Sequence, residues 1–587
     1  MTARAVDDLS AATGEVLVIR AGARLTAGFV ERLRAAAGEA GTVATVAAIA
    51  HGSGDPDEVA QRSLRMHPRT TRLTLDCTLV TRAALALAGP LDEGFGGRCD
   101  ALGLAHVVAD DVLVRGTEPT SAVNPLDRHE HSDLPLRPAT RLERALTWTR
   151  RVADGLEVTL DGRMLRTLRS GTEVQLLALA RALTRTGAVR LRLLVGEQAP
   201  DVELDGVELI RDVVGARRTA IAHRPYQLSG AQDLHLLAHV GERLVVTHLD
   251  LLLYRDPLYH ASPDTWAGYR RLTGAGLAAA DLVVAISDHV AQDLVAEDLV
   301  PAGRLRRVYL GTDHEDPGPA SPPAGLEPLD GRPFLVQLGS DLRHKNRPFA
   351  IDLLHELRAL GWTGGLVLAG PGVEHGSSRA EEDARSLEHV VRLGSVSDSE
   401  RRWLYREAAA VLYPSTDEGF GLVPFEAAAA GTLPLTAPVS AMRELLGDEH
   451  ALLVPWDAAT SAQRVLPALG RPDAIVAAVR ARGEQLTWDR TAREYLELYD
   501  QTLALPSRAA AVQAFQALAA EAGRGHWEGT YWALRQELGP TGLALVGADG
   551  ALPQDAQRAL AALTSRKFTR EALLRALRLA GKVGRAR

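Results

Sequence analysis

The chain has 587 residues, which is too long for one hydrophobic core, so we expect three or four domains of about 150 residues each. Its hydrophobic fraction of 46% suits globular packing, and its net charge of -8 argues against a nucleic-acid-binding protein. The two cysteines, Cys77 and Cys99, form neither a disulfide framework nor a zinc-ligand spacing, which fits a reducing compartment. From the first ten residues we expect no signal segment, and no window nears the ~18 apolar residues of a membrane span. We therefore expect a cytoplasmic protein, either soluble or resting at the inner face of the membrane.

The N-terminal region, residues 1–118, has the pattern of a small α/β unit. Its predicted elements are strands over 16–19 and 43–50, a helix over 27–37 and a strand-to-helix passage over 77–87. The region that follows begins rich in Pro, Ser, Asp and His, and we predict a linker over residues 119–150.

From about residue 150 the sequence alternates between strand and helix patterns in two successive sets. The first set has predicted strands over 156–160, 190–195, 244–246 and 282–286, and a helix over 172–183 with Thr172 as its N-cap. The second set has predicted strands over 334–338, 365–369, 389–393 and 410–413, and a helix over 348–360. Two such sets joined by a proline-rich hinge predict two doubly wound domains, residues 151–325 and 326–487, that face a cleft.

The C-terminal region, residues 506–587, is predicted to be helical, with no strand pattern. Its last stretch, residues 565–587, has eight basic residues against the single acid Glu571, and apolar residues are interleaved with them. Such a helix would suit peripheral contact with an anionic membrane face. The alternative, which we favour, is a packed or solvated terminal helix.

Lysine usage singles out one residue. Of 66 basic residues only three are lysines, so arginine serves almost wherever a positive charge is needed. Lys345 lies in a strand-to-loop motif, where a compact ammonium suits a point contact with phosphate better than a planar guanidinium does. We therefore predict that Lys345 binds phosphate.

Two carboxylates eight positions apart flank a glycine-containing turn. Glu418 is predicted to lie in a strand-to-helix loop, and Glu426 about one turn inside the following helix. Gly419 and Gly421 would let backbone N–H groups approach a phosphate or hydroxyl closely. Loops at the carboxyl ends of parallel strands are where ligands bind in open α/β sheets. The alternative is a turn with a solvated acid on each side.

With these motifs in view, residues from about 150 to 505 resemble the retaining glycosyltransferases of family 4, which have the GT-B fold of two facing Rossmann-like domains. The resemblance rests on the Glu418 and Glu426 pair and on four further motifs: Lys345-Asn346, Arg392-Leu393-Gly394, Tyr413-Pro414-Ser415 and the helical segment Trp488 to Tyr499. A helix over 488–505 would return to the first domain and close the fold.

The resemblance also implies roles for individual residues. Glu418 would contact the transferred sugar, Glu426 the ribose, and Lys345 the diphosphate leaving group. Further donor contacts would come from Gly339, Ser340, Arg343, Asn346, Leu393, Gly394, Gly419, Phe420, Gly421 and Leu422.

The sequence departs from the family pattern in two places. Ser340 stands where the family has an arginine, and Arg343 could supply that charge only from another point in the loop. In the first domain Asp250 is kept, and His248 comes one position earlier than usual. We take Asp250 as a candidate catalytic residue that orients the acceptor or the sugar; a core or turn acid is an equal alternative. The candidate acceptor-side residues are His248, Gly171, Thr172 and Tyr226.

The N-terminal unit is similar to the later part of a family 2 glycosyltransferase domain, with the GT-A type of fold. The strand and helix of residues 16–29 and the segments 79–82 and 91–95 carry this likeness. Arg20-Ala21-Gly22 stands where an Asp-containing motif would hold a metal, and the nucleotide-binding half is missing. We predict an inactive remnant that packs on the transferase half or recruits a partner to it.

The sequence thus predicts a retaining, metal-independent glycosyltransferase in polysaccharide or cell-envelope biosynthesis. It would move a sugar from a nucleotide-sugar donor to a glycan or lipid-linked acceptor, with no cofactor beyond that co-substrate. Other GT-B enzymes, a sugar-nucleotide epimerase or a phosphorylase, are alternatives, although a phosphorylase would need a cofactor-binding lysine. A catalytically inactive scaffold or sugar-binding protein is the alternative of another class.

Overall fold

The computed structural model describes residues 14–505, except for 39–41, 71–74, 117–140, 166–170, 197–198, 200–203, 212–215 and 315–317. The predicted C-terminal helices and basic segment lie outside the described residues. Three α/β units follow one another along the chain, each built on its own sheet. None of the described helices combines the length and apolar character needed to cross a bilayer.

The first unit is a mixed sheet of six described strands in the order β1-β5-β3-β6-β2, with β4 paired to β6. Its strands are β1 (Val16–Ile19), β2 (Arg24–Leu25), β3 (Val43–His51), β4 (Arg69–Thr70), β5 (Cys77–Val80) and β6 (Ala105–Arg115). Its helices are α1 (Phe29–Ala37), α2 (Pro56–Arg62), α3 (Arg82–Ala88) and α4 (Phe95–Ala101). The predicted strands are present, and α1 begins two residues later than predicted because Gly28 adopts a left-handed conformation at its N-cap.

The predicted linker contains a helix. Residues 141–150 of the 119–150 range belong to α5 (Arg141–Asp154), and 119–140 lie outside the described residues. Leu142, Ala145 and Leu146 recur at helical spacing, and Leu146 packs with Val108 and other buried residues of the first unit. The first unit is therefore fastened to the rest of the chain through α5.

The second unit is an all-parallel sheet whose seven described strands run in the order β13-β12-β11-β10-β7-β8-β9. Its strands are β7 (Leu156–Asp161), β8 (Val189–Leu194), β9 (Val207–Ile210), β10 (Thr219–Arg224), β11 (Gly241–His248), β12 (Leu282–Ala285) and β13 (Leu305–Arg307). Its helices are α6 (Gly171–Arg185), α7 (Ala231–Val240), α8 (Leu252–Arg255), α9 (Pro263–Ala279) and α10 (Asp288–Ala296). The N-cap prediction for Thr172 is wrong because α6 already begins at Gly171, which puts Thr172 inside the first turn.

The third unit is also parallel, with five described strands in the order β16-β15-β14-β17-β18. These strands are β14 (Phe334–Leu338), β15 (Gly365–Ala369), β16 (Val390–Leu393), β17 (Ala410–Tyr413) and β18 (Leu433–Thr436). Its helices are α11 (Arg347–Ala359), α12 (Arg379–Asp383), α13 (Asp398–Glu407), α14 (Val423–Ala430), α15 (Ser440–Leu446), α16 (Ala458–Leu469) and α17 (Asp473–Glu484). Buried apolar residues of the second and third units form one continuous core.

The last described helix, α18 (Trp488–Ala504), returns to the second unit. Its Tyr495 hydroxyl bonds to the Thr247 hydroxyl at 2.7 Å, and its Tyr499 hydroxyl bonds to His223 Nδ1 at 2.8 Å. Two doubly wound parallel sheets that face each other are the arrangement expected for the GT-B fold, so the predicted fold class is confirmed.

Candidate active site

The loops at the carboxyl ends of β14, β15 and β16 meet through their glycines. The Gly339 N–H donates to the Ala369 carbonyl at 2.9 Å, and the Gly370 N–H donates to the Gly394 carbonyl at 3.0 Å. A side chain at Gly370 would lie 2.1 Å from the Gly339 carbonyl oxygen, so the two loops touch through their backbones. The predicted residues Gly339, Ser340, Leu393 and Gly394 thus share one edge of the sheet.

Lys345 and Glu418 form an ion pair at this edge, with 2.5 Å between Nζ and Oε1. Their side chains are 18% and 13% exposed. Burial alone would raise the pKa of Glu418, but the Lys345 ammonium and the neighbouring groups outweigh it and hold that pKa below its usual value. Lys345 also lies over the Tyr413 ring, 5.3 Å from its centroid. The two predicted catalytic residues of this domain are therefore in direct contact.

The loop that carries Glu418 is fixed from both sides. The Thr416 N–H donates to the His344 carbonyl at 2.7 Å, and the Glu418 N–H donates to the Ser440 hydroxyl at 3.1 Å. Gly421 has a φ of 94°, and a side chain there would lie 2.5 Å from the Met442 methyl group, so this position requires glycine.

The Phe420 side chain is buried, with its ring 6.3 Å from that of Tyr309 and 6.2 Å from that of Phe425. Leu422 is half-buried and immediately precedes α14. Because its side chain is buried, Phe420 could contact a donor only through its backbone.

Glu426 lies in the first turn of α14, as predicted, but protein groups occupy its carboxylate. His314 Nε2 donates to Oε1 at 2.9 Å, and the Tyr405 hydroxyl donates to Oε2. The Arg401 guanidinium is 3.7 Å from Oε1. Burial would raise the pKa of Glu426, but His314, Arg401 and Tyr405 hold it below its usual value. A ribose at this site would share the carboxylate with these three side chains.

The two arginines near the lysine have different surroundings. Arg343 pairs with Glu381 at 2.5 Å on the surface, so its charge is directed to that acid. Arg347, which sequence reasoning missed, is buried, and its Nη2 donates to the Gly339 carbonyl at 2.7 Å. Asn346, at a φ of 54°, is the left-handed residue that leads into α11. Arg347 directly follows the Lys345-Asn346 pair, and this position could have identified it from the sequence.

Asp250 faces this pair from the second unit. Its carboxylate accepts the Leu252 N–H at 3.0 Å, and the side chain is half-buried. Burial raises the pKa of Asp250 to about 6, and the charges of Glu418 and Asp417 raise it further against the opposing effect of Lys345. A side chain at Gly419 would lie 1.8 Å from the carbonyl oxygen of Leu249, so the loops of Asp250 and Glu418 are in contact.

Of the predicted acceptor-side residues, His248 lies beside Asp250 and forms a hydrogen bond with its backbone. His248 is buried within β11, and burial lowers its pKa to about 4. Tyr226 is buried, and its hydroxyl donates to Asp161 at 3.3 Å. Gly171 and Thr172 open α6, with Gly171 exposed and Thr172 half-buried.

Comparison with known proteins identifies the third unit. The family described as "Glycosyl transferases group 1" matches residues 324–473, which include Lys345, Glu418 and Glu426. We call this segment, residues 324–473, the group 1 domain after the family that it matches.

Relatives are similar to the chain over part of its length. A D-inositol 3-phosphate glycosyltransferase of Salinispora tropica is 29% identical over 194 residues, covering 30% of this chain and 37% of the relative. O-antigen chain mannosyltransferase B of Escherichia coli is 26% identical over 276 residues, covering 45% and 71%. A GDP-mannose:cellobiosyl-diphosphopolyprenol alpha-mannosyltransferase of Komagataeibacter xylinus is 30% identical over 185 residues, covering 29% and 47%. The chain thus spans from about a third to about seven tenths of the length of these relatives.

Among solved structures, sucrose-phosphate synthase from Thermosynechococcus elongatus aligns with a TM-score of 0.47 and 20% identity, covering 60% of this chain and 99% of that one.

Hydrogen bonds connect the group 1 domain to the second unit at the start of α10. Both oxygens of Glu444 accept backbone N–H groups at the start of that helix, from Asp288 at 2.8 Å and from His289 at 2.9 Å. His289 Nε2 also donates to Asp417 at 2.9 Å. Asp417 is the neighbour of Glu418, so this contact joins α10 to the loop that carries Glu418.

Among the described residues, ligand atoms of His289, Asp293 and Asp417 lie within 4.8 Å of one another. Arg255 already binds both oxygens of Asp293, at 2.7 and 2.9 Å. Ion pairs within the protein therefore explain why these three side chains lie close together.

We expect the contact between His289 and Asp417 to contribute more to the stability of the fold as the pH falls. The hydrogen bond to Asp417 raises the pKa of His289, against the opposing effect of burial, with Asp293 raising it and Arg255 lowering it. The stability from a raised histidine pKa is complete below the unfolded value of about 6.5 and is lost as the pH rises through the folded value. The difference in melting temperature between the parent and His289→Gln should thus be larger at about pH 5.5 than at about pH 8.5.

His375→Gln, at a half-buried histidine of the group 1 domain, is the matched control. The prediction would be contradicted if the melting-temperature difference for His289→Gln stayed constant with pH. It would also be contradicted if that difference changed with pH in the same way as the difference for His375→Gln.

Proposed function

We propose that the chain is a glycosyltransferase that moves a sugar from a nucleotide-sugar donor to a hydroxyl of a glycan or lipid-linked acceptor. The observation that carries the proposal is the Lys345–Glu418 ion pair, which lies at the ligand-binding edge of a group 1 domain and faces Asp250 across the cleft. A cation and an oriented carboxylate are thus held where a diphosphate and its sugar would meet.

In the proposed reaction Lys345 stabilises the charge that develops on the diphosphate leaving group. An ammonium in a partly water-excluded site is effective for this purpose, and the N-terminus of α11 beside it adds positive potential. No metal is needed for charge neutralisation in this scheme. Glu418 would hold the sugar hydroxyls and Asp250 would orient the acceptor hydroxyl.

Retention of configuration is part of the proposal. The acceptor oxygen would attack the anomeric carbon from the side of the leaving group while the bond to the diphosphate oxygen breaks. The proton of the acceptor hydroxyl would pass to the departing phosphate. Glu418 is paired with Lys345, and Glu426 is held by His314, Tyr405 and Arg401, so neither carboxylate is free to form a covalent intermediate.

The names of the relatives suggest which substrates to test first. GDP-mannose and a diphosphopolyprenol-linked sugar appear in the name of the Komagataeibacter xylinus relative. We therefore extend the proposal to a lipid-linked or glycan acceptor in cell-envelope biosynthesis at the cytoplasmic side of the membrane. Contact through residues 565–587, which lie outside the described residues, stays a prediction.

A catalytically inactive scaffold is the second candidate, and two observations favour it. Ser340 provides no positive charge, and Arg343 is paired with Glu381. Protein groups also occupy both oxygens of Glu426. A scaffold of this kind would bind a nucleotide or sugar without transferring it.

A nucleotide panel tests the proposal. We expect at least one of UDP, GDP and ADP to raise the melting temperature, since ligand at a hundredfold its Kd stabilises the folded state by about 2.7 kcal/mol. The matching nucleotide sugar should then be hydrolysed, and EDTA should leave the rate unchanged. If no nucleotide shifts the protein, the enzyme proposal fails; if EDTA abolishes hydrolysis, its metal-free part fails. Binding without hydrolysis or transfer would favour the scaffold.

A further inference from the structure

Tyr259 of the second unit extends across the cleft into the group 1 domain. It ends a short 3-10 helix, Pro257–Tyr259, in the same connection after β11 that carries Asp250. Its ring lies against Gly376, where an added side chain would come within 2.4 Å of the Tyr259 ring. Its hydroxyl is 3.0 Å from both the backbone nitrogen and Nδ1 of His344. Tyr259 thus binds the residue that immediately precedes Lys345.

These two hydrogen bonds fit one tautomer of the His344 ring. The backbone N–H of His344 can only donate, so the Tyr259 oxygen accepts it and keeps its own proton for another acceptor. We assign that proton to Nδ1 of His344, which is 3.0 Å away, and in this arrangement Nδ1 is unprotonated. This assignment puts the ring proton on Nε2, on the side of the Glu418 carboxylate, which can only accept.

The protonated Nε2 faces Glu418, whose Oε1 is 3.9 Å away. The other tautomer would direct a lone pair at that carboxylate. His344 is buried, and burial lowers its pKa to about 4, so the ring is neutral near pH 7. A neutral N–H can orient Glu418 without adding a second full charge beside Lys345.

We propose that Tyr259 and His344 are positioning residues: closure of the cleft brings the Tyr259 hydroxyl to His344, and this directs the Nε2 proton at the carboxylate of Glu418. Lys345 binds Glu418 at 2.5 Å in this structure. When Lys345 turns to a diphosphate, His344 is the neighbouring donor that keeps Glu418 oriented. This last step rests on the proposed glycosyl transfer; the Tyr259–His344 arrangement itself does not.

The tautomer can be measured without substrate. In the full-length protein with ¹⁵N-labelled histidine at pH 7, the signal lost in His344→Gln identifies the residue. We expect a neutral ring with its proton on Nε2, and we expect Tyr259→Phe to change the Nδ1 shift and to populate the other tautomer. A proton on Nδ1 in the parent, a charged ring, or a spectrum unchanged by Tyr259→Phe would overturn the proposal.

Turnover tests the role of the pair, with hydrolysis of the nucleotide sugar found by the nucleotide panel as the assay. Tyr259→Phe should lower kcat about fivefold with little change in KM, because ground-state binding of the donor is not altered. His344→Gln keeps an N–H at the place of Nε2 and has no tautomers, so Tyr259→Phe should have no further effect in that background. Equal effects in both backgrounds would overturn the positioning role.

Tyr499→Phe is the matched control. It removes the same kind of bond, from a tyrosine hydroxyl to Nδ1 of the buried His223, within the second unit. This variant should melt at a lower temperature and keep the parent's kcat. If the parent hydrolyses no nucleotide sugar, the proposed function fails, while the tautomer measurement still decides the Tyr259–His344 arrangement.

Discussion

Lys345→Met is expected to lower turnover of the nucleotide sugar at least about tenfold, which corresponds to a loss of about 1.4 kcal/mol of transition-state stabilisation. Methionine keeps the length of the side chain and removes the ammonium that we assign to the diphosphate. Its main effect should fall on kcat, because charge on the leaving group grows as the bond breaks. Steady-state hydrolysis of the donor measures it.

Glu418→Gln should have an effect of at least the same size. The variant also provides a second test, because Lys345 and Glu418 form a mostly buried ion pair. Removing either partner leaves the other charge unpaired in a poorly hydrated site, so each single variant should melt at a lower temperature than the parent. In the double variant Lys345→Met/Glu418→Gln no charge is left unpaired, and the loss of stability should be smaller than the sum of the two single losses.

Arg385→Met is the control for these variants. Arg385 pairs with Asp352 through two bonds of 2.8 and 2.9 Å, within the group 1 domain and outside the residues assigned to the cleft. It should leave turnover unchanged. Turnover near the parent's in both Lys345→Met and Glu418→Gln would remove these residues from the mechanism.

Local sequence patterns predicted the strands of the parallel sheets well. The strands over 334–338, 365–369 and 410–413 have the predicted bounds, since each is a short apolar run that ends in a glycine or proline motif. Lys345 and Glu418 could be found for the same reason, because each is marked by its immediate neighbours. Their contact across 73 positions follows from strands β14 and β17 being adjacent in the sheet.

Features that depend on distant partners could not be predicted in this way. Glu426 carries the expected motif, but His314, 112 positions earlier, occupies its carboxylate. Arg343 was a candidate donor contact, and its guanidinium pairs with Glu381, which is distant in the sequence. Helix α5 begins inside the range that was predicted to be a linker. It was missed because its stability comes from packing against the first unit. Tyr259 carries no motif, and only its contact with His344 across the cleft reveals it.

Gly419→Ala is expected to have the second large effect, because the cleft closes on this residue. An added methyl group would lie 1.8 Å from the Leu249 carbonyl oxygen and 3.3 Å from the Ile286 side chain. Leu249 is joined to Asp250, so its carbonyl cannot retreat without moving that carboxylate. The two loops must separate, and we expect turnover to fall at least about tenfold.

The effect of Gly419→Ala should be confined to closure of the cleft. Lys345 and Gly339 lie on the group 1 side, so the variant should still bind the nucleotide that shifts the parent's melting temperature, and X-ray scattering should report a larger radius of gyration. Gly303→Ala is the matched control, because an added methyl group there has nothing within 4 Å. Turnover and scattering like the parent's in Gly419→Ala would mean that the loops yield at little cost. Contact between the Asp250 and Glu418 loops would then not be a condition for catalysis.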